Sequence, residues 1–217
     1  MMMHRHQPMN IYGPPGTSKI LDHLIAACDI PQATGFSVPG QILPHPRDFI
    51  NSRDIQPGEI LYIDDIRISC CENTHYRPED QFGKQGPISL SYRFDAPDRS
   101  MVFTGDTGPC LALEEFAKNA DLLVGELFDT ELVINRLRAT NPDMSDHALL
   151  QMRQHFDEHH LTPEDLGQLA SRAGVKKVVA VHIPFITKSA EEDAKYVSRI
   201  LAKFSGSVTI SEDLAAY

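Results

Sequence analysis

Apolar positions along this chain switch repeatedly between two periods. Short runs rich in Val, Ile and Leu alternate with longer stretches in which apolar residues recur every three or four positions, the patterns of strands and amphipathic helices. Asn10 to Tyr12 reads as a short strand, Gly13-Pro-Pro-Gly16 as a turn, and Ser18 to Cys28 as a helix with Ile20, Leu21, Leu24, Ile25 and Cys28 along one side. From Ile30 to Gly58 the chain is rich in Pro, Gly and polar residues, with short strands expected at Gly40 to Leu43 and Asp48 to Ile50. Ile60 to Ile63 and Ile66 to Cys71 flank Asp64-Asp65 as a hairpin, and Ser89 to Asp95 and Met101 to Thr104 form a second pair turning at Ala96 to Arg99. Beyond Pro109 the order becomes helix Leu111 to Asn119, strand Leu122 to Glu126, helices Ser145 to Glu158 and Pro163 to Ala173, strand Val178 to Val181, helix Ala190 to Phe204, and strand Ser207 to Ile210. This alternation predicts an α/β fold of stacked sheets with outer helices.

Three of these runs end in residues that bind metals. Phe103 leads through Thr104 and Gly105 to Asp106, the run from Arg67 leads to His75, and Lys177 to Val181 leads to His182. Neutral imidazole and carboxylate together suit zinc, and also manganese or iron, all of which accept mixed nitrogen and oxygen donors. A single histidine after a strand is more often a packed or solvated residue, so it is the set of three that carries weight. Thr162 as N-cap, Pro163 in the first turn, and Glu164 and Asp165 at the positive end of the dipole fix one helix start firmly. His160 then lies two residues before that cap, on a loop able to face the mouth of the sheet.

Other features point away from specialised sites. Gly13-Pro-Pro-Gly16 followed by Thr17, Ser18 and Lys19 lacks the full phosphate-loop pattern, and its prolines remove amide donors, so a rigid turn is expected. Cys70 and Cys71 are adjacent on a strand and point to opposite faces, while Cys28 and Cys110 stand alone near helices, so reduced thiols are the simplest reading. His23, His45, His147 and His155 receive no role, and Asp64 and Asp65 read as turn acids.

The chain has 217 residues, 41% of them hydrophobic, ample for a core. It lacks an apolar run near 18 residues and a secretory signal at Met1 to Pro8, which makes the cytoplasm the default location. The formal net charge of −10 opposes nonspecific binding to polyanions.

An ordered series of segments resembles a known family. Phe103-Thr-Gly-Asp-Thr-Gly-Pro109, Asn119-Ala-Asp-Leu-Leu-Val-Gly-Glu126, His160-Leu-Thr-Pro-Glu-Asp-Leu-Gly-Gln-Leu-Ala170 and Val178-Val-Ala-Val-His-Ile183 look like the second half of a metallo-β-lactamase-fold hydrolase. The branch is that of ribonuclease Z and its arylsulfatase-like relatives. Met9-Asn-Ile-Tyr-Gly-Pro-Pro-Gly-Thr17 is similar to the strand and turn that follow the first metal-binding run there. The resemblance implies an α/β, metallo-β-lactamase-like αββα sandwich over a single domain, residues 1–217. It implies metal ligation by His75, Asp106 and His182, with Asp106 bridging two zinc ions in the intact family. His160 would act as general acid or oxyanion partner, oriented by Glu126, for which a structural alternative is a buried strand-end acid paired to a neighbour.

The family's H-x-H-x-D-H run is absent. His4-Arg-His6 has its first spacing, but Pro8 and Met9 stand where an acid and a histidine belong. The expectation is therefore a member with its N-terminal half incomplete, able to bind one ion or none, its activity impaired. The interval between His75 and Ser89 is too short for the long arm of tRNA-processing members, so a small or medium ester is expected ahead of structured RNA, with a phosphodiester, a sulfate ester and a lactone-like carbonyl compound all open. The alternative is a noncatalytic scaffold or oligomer partner, and a homodimer is expected by analogy.

Overall fold

Strand β1 (Met9–Gly13) extends the short run read at Asn10 to Tyr12, and it pairs in parallel with β2 (Ile50–Asp54), Met9 opposite Ile50 and Gly13 opposite Asp54. Helix α1 (Thr17–Ala33) connects them. The computed structural model describes residues 7–33, 45–76, 86–184 and 189–217, in two compact units, Met1–Gln56 and Pro57–Tyr217.

In the first unit the Gly13 to Gly16 turn is clasped by β2. The amides of Gly16 and Ser18 each donate to the Asp54 carboxylate at 2.8 Å, and these bonds hold that carboxyl below its ordinary pKa. The amides that a phosphate would need are occupied, in agreement with a rigid turn. Of the apolar side of α1, Ile25 is buried, but Ile20 and Leu24 are exposed. The strand read at Asp48 to Ile50 is displaced: Pro46–Asp48 is a turn of 3-10 helix capped by His45, and β2 follows it. Asn51, Ser52 and Arg53 are polar and exposed, so pairing with β1 rather than apolar alternation makes this strand. Gly40 to Leu43 lies outside the described residues.

The second unit is built on a seven-stranded sheet. Its strands are β3 (Ile60–Ile63), β4 (Ile66–Glu72), β5 (Leu90–Asp95), β6 (Ser100–Phe103), β7 (Leu122–Glu126), β8 (Lys177–Val181) and β9 (Ser207–Ile210), side by side in chain order. The expected hairpins supply the antiparallel part, β3 to β6. Asp64 takes a left-handed φ of 51° in the first turn, and the amide of Ala96 donates to the Arg99 carbonyl in the second. From β6 onward the neighbours are parallel, which demands crossovers, and helices provide them. They are α2 (Leu111–Phe116), α3 (Thr130–Thr140), α4 (Asp146–His159), α5 (Pro163–Ala173) and α6 (Ala190–Leu201). The α/β class is the one expected from the alternation.

Val102, Leu123, Val178 and Ala180 on one face of the sheet pack with Leu113, Leu166, Leu169, Tyr196 and Ile200 from the helices. Helix α5 carries the predicted start: Thr162 and Asp165 form a reciprocal capping box, and Gly174 ends the helix with φ 65°. Helix α2 stops at Phe116, short of the expected Asn119, which takes a left-handed φ of 55° and donates its amide to the Ala173 carbonyl at 2.8 Å. Helix α3 was not expected. Its apolar residues crowd together at Leu132-Val-Ile134 instead of spreading at helical spacing, and its start depends on Asp129, whose carboxylate accepts from the Leu132 amide. Among the described residues no helix is long and apolar enough to cross a membrane.

Candidate metal centre

Strand direction explains why distant residues meet. Strand β4 is antiparallel to β5, which is antiparallel to β6, while β7 and β8 run parallel to β6. So β4, β6, β7 and β8 point the same way, and the residues at or just past their ends, His75, Asp106, Glu126 and His182, gather at one edge of the sheet. This is the edge at which α/β sheets commonly bind ligands.

The loop after β4 is pinned by Asn73, a buried residue that the sequence reading passed over. Its Nδ2 donates to Ser91 Oγ at 3.2 Å and to the Thr104 carbonyl at 3.0 Å, while its Oδ1 accepts from the His75 amide at 3.1 Å. One amide side chain thus ties the His75 loop to the turn carrying Asp106. A buried polar residue between a strand and a candidate ligand was the available signal, but burial cannot be read from type alone. The turn itself uses Gly105 at φ 61°, a backbone state that side chains resist. Gly108 then allows close approach: a Cβ there would lie 1.9 Å from the Glu158 carbonyl oxygen.

That approach brings the end of α4 against the site. His159 is buried and its Nδ1 meets the Thr74 carbonyl at 3.0 Å, while the Nδ1 of His75 lies 3.3 Å from the His159 carbonyl. His160 turns the other way. Its Nδ1 sits 2.8 Å from Glu126 Oε2, and the other Glu126 oxygen accepts from the Thr107 amide. Phe128 stacks on the His160 ring at 4.4 Å and 20°. Glu126 is 1% exposed and His160 11%. Burial pushes the Glu126 carboxyl up, and the hydrogen bonds from His160 and Thr107 offset part of that rise.

With both Nδ1 atoms engaged, the Nε2 atoms of His75 and His160 are left for other partners. Among the described residues His75, Asp106 and His160 form a group whose donor atoms all lie within 4.8 Å of one another. His182 joins through Asp106: its Nε2 is 3.5 Å from Asp106 Oδ2. It takes a left-handed φ of 53° and its side chain is 63% exposed. All five residues singled out from sequence therefore sit at one edge, with His160 in the mutual group and His182 at its rim. The chemistry of the set, imidazole nitrogens held by a second partner plus a carboxylate, fits a divalent cation of the zinc, manganese or iron type.

Neighbouring groups separate from this set. His155 is largely exposed, its ring 4.5 Å from that of His159, and its pKa is lowered by the partial loss of water around it and then by His159, His160 and His75. Cys110 packs against the core beside Cys71, whose thiol burial pushes up to about 12, so the cysteines add no donor to the group. All four cysteines are free.

Comparisons with known proteins agree with this architecture. A family model described as "Beta-lactamase superfamily domain" matches residues 1–183. The chain is 26% identical over 208 residues to a protein named Ribonuclease Z from Mycobacterium avium, an alignment covering 95% of this chain and 66% of the relative. It thus spans just under two thirds of that relative's length. The fold is similar to that of the metallo-beta-lactamase fold protein YhfI from Bacillus subtilis, with a TM-score of 0.58 and 16% identity over 94% of this chain and 62% of the other. It is also similar to Zn(2+)-bound PqqB from Methylobacterium extorquens, with a TM-score of 0.55 and 14% identity over 95% of this chain and 64% of the other.

Proposed function

The chain belongs to the beta-lactamase superfamily, and on that footing we propose that it is a metal-dependent hydrolase of phosphodiesters. The observation that carries this reading is the convergence of His75, Asp106 and His160 within 4.8 Å, with His182 against Asp106 and Glu126 behind His160. We assign His75, Asp106 and His182 to the cation, zinc in the first instance, and His160 with Glu126 to proton transfer. A divalent ion held there would supply an acidified water and neutralise charge on a phosphoryl oxygen.

The chain's own residues have separable tasks in this scheme. Asp106 contributes negative charge at the tip of a turn fixed by Asn73 and Gly105. Glu126 accepts from His160 Nδ1, which leaves Nε2 to carry or deliver a proton at the leaving oxygen. The face-on contact with Phe128 keeps the imidazole in one plane and shields one of its faces from water. None of this needs a long loop. The ranking of small esters above RNA, drawn from net charge and the short interval after His75, finds no support in a relative named as a ribonuclease, and RNA belongs among the substrates to be tried.

Purified protein supplied with zinc or manganese is expected to hydrolyse bis-p-nitrophenyl phosphate and to cleave a 3′-extended tRNA transcript, with Asp106→Ala removing both activities. Metal-loaded protein that cleaves neither would overturn the reading and favour a noncatalytic scaffold.

A further inference from the structure

Behind the Glu126 and His160 pair lies an ionic cluster with no part in the scheme above. Arg199 on α6 donates from Nε to Glu164 Oε1 at 2.7 Å, from Nη2 to Glu164 Oε2 at 2.8 Å, and from Nη1 to Asp129 Oδ2 at 2.8 Å. Asp129 is 5% exposed and Arg199 28%. This is not the loose surface pair whose contribution is small, because one planar fork grips two acids from different elements. The same helix places the buried ring of Tyr196 one turn earlier, and Asp129 is among the groups that raise its phenol pKa, after burial.

What the two acids belong to gives the cluster its meaning. Asp129 follows Phe128, the residue stacked on His160, and its other oxygen caps α3. Glu164 stands in the first turn of α5, two residues after the Thr162 cap and four after His160. The two segments are stitched directly by the Phe128 amide, which donates to the Leu161 carbonyl at 2.8 Å. Hence one guanidinium holds the segment that bears the imidazole and the segment that bears its stacking partner.

We propose that Arg199 is a positioning residue for His160, a cross-brace that locks the Phe128–Asp129 and His160–Glu164 segments in register. Its relevance to catalysis rests on the proposed role of His160, but the brace itself can be tested without any activity. In protein labelled with 15N-histidine and free of metal, the His160 Nδ1 proton is hydrogen-bonded to Glu126 and its ring protons lie over Phe128. Their signals are therefore displaced, and a His160→Gln spectrum identifies them.

Arg199→Met is expected to move the ring-proton signals toward ordinary values and to speed exchange of the Nδ1 proton roughly 10- to 100-fold, the factor expected from losing charge-assisted hydrogen bonds. Arg199→Lys preserves charge but offers a single nitrogen, so it cannot hold both acids in this geometry. It is expected to remain folded by circular dichroism and to shift the same signals part of the way. It decides the matter if the Met variant does not fold. Arg153→Met, which breaks the paired contact of Arg153 with Glu131 between α4 and α3, is the matched control and should leave His160 unchanged. Superimposable His160 signals in a folded Arg199→Lys protein, or an equal shift in Arg153→Met, would overturn the brace. Shifted signals in a protein that hydrolyses no phosphodiester would refute the hydrolase and leave the brace standing.

Discussion

Two acids bracket strand β7, Asp121 at its entry and Glu126 at its exit, and the protein treats them in opposite ways. Asp121 keeps a partly open side chain and accepts from Lys176 Nζ at 2.6 Å and from the amide and hydroxyl of Ser100 at 2.7 and 3.0 Å. The Lys176 contact, followed by those of Ser100, draws its pKa from 3.8 down to about 2. Glu126 is buried with one imidazole and one amide on its carboxylate, and its pKa rises. Five residues apart at the two ends of one strand, one carboxylate clasps the rear edge of the sheet while the other is held where its charge is costly. That contrast accords with the proposed placing of proton transfer at the exit of β7, since a buried carboxyl paired with an imidazole is the kind of perturbed group such a role uses.

The sharpest test of the contrast is Glu126→Gln. Hydrolysis is expected to fall by roughly 10²- to 10⁴-fold, the range typical of losing acid–base assistance. Stability at neutral pH should change by no more than about 1 kcal/mol, because the amide keeps an acceptor for Thr107 and removes a charge that burial disfavours. Initial rates and urea titrations on the same preparation measure both. A loss of stability larger than the loss of rate would make Glu126 a structural acid.

His182→Ala comes next. Its side chain is exposed, so the urea midpoint should be preserved, whereas zinc affinity by competition with a chromogenic chelator should fall by about 10- to 100-fold or more. Unchanged affinity would remove His182 from the metal centre.

Gly108→Ala probes how the site is held. Its Cβ would meet the Glu158 backbone, and a cost of about 1–3 kcal/mol is expected from overpacking, visible as a lower thermal midpoint together with weakened zinc binding. A neutral outcome would mean that the end of α4 can yield without disturbing His159 and His160.

The smallest effect belongs to Asp121→Asn. Asp121 has a folded pKa below its unfolded value, so the unfolded state takes up the proton first as pH falls. The stabilisation is full above the ordinary value of 3.8 and is lost as pH drops through about 2. Urea midpoints measured across that window should therefore fall less steeply in the variant than in the parent, while hydrolysis at neutral pH is unaffected. Parallel acid limbs would show that Asp121 contributes nothing to the pH dependence.

Much of this could be read in the residues themselves. The hairpin at Asp64-Asp65, the strands ending before Asp106 and His182, and the start of α5 at Thr162 are local devices, governed by turn chemistry, β-branched runs and capping. The loop position of His160 was legible from its distance to that cap, while its pairing with Glu126 was implied only by the family resemblance. Asn73, Gly108 and Arg199 were not legible. An asparagine, a glycine and an arginine acquire their roles only from what lies 31, 50 and 70 positions away in the chain, at Thr104, Glu158 and Asp129. Strand β2 was misplaced and α3 missed for the same reason: one is made by its partner strand and the other by a cap and a packed face, with little periodicity of their own.

The sequence alone determined which side chains were chemically able to serve, two imidazoles and an acid at strand ends, because residue type and local backbone preference are properties of short segments; Glu126 and His160 were paired only by the resemblance. Only the tertiary structure decided which of them share a space. Direction along the sheet placed four strand ends at one edge, burial separated Glu126 from Asp121, and close packing at Gly108 drew His160 into the group while leaving His182 at its rim. These outcomes depend on contacts between segments far apart in the chain, and no local preference encodes them.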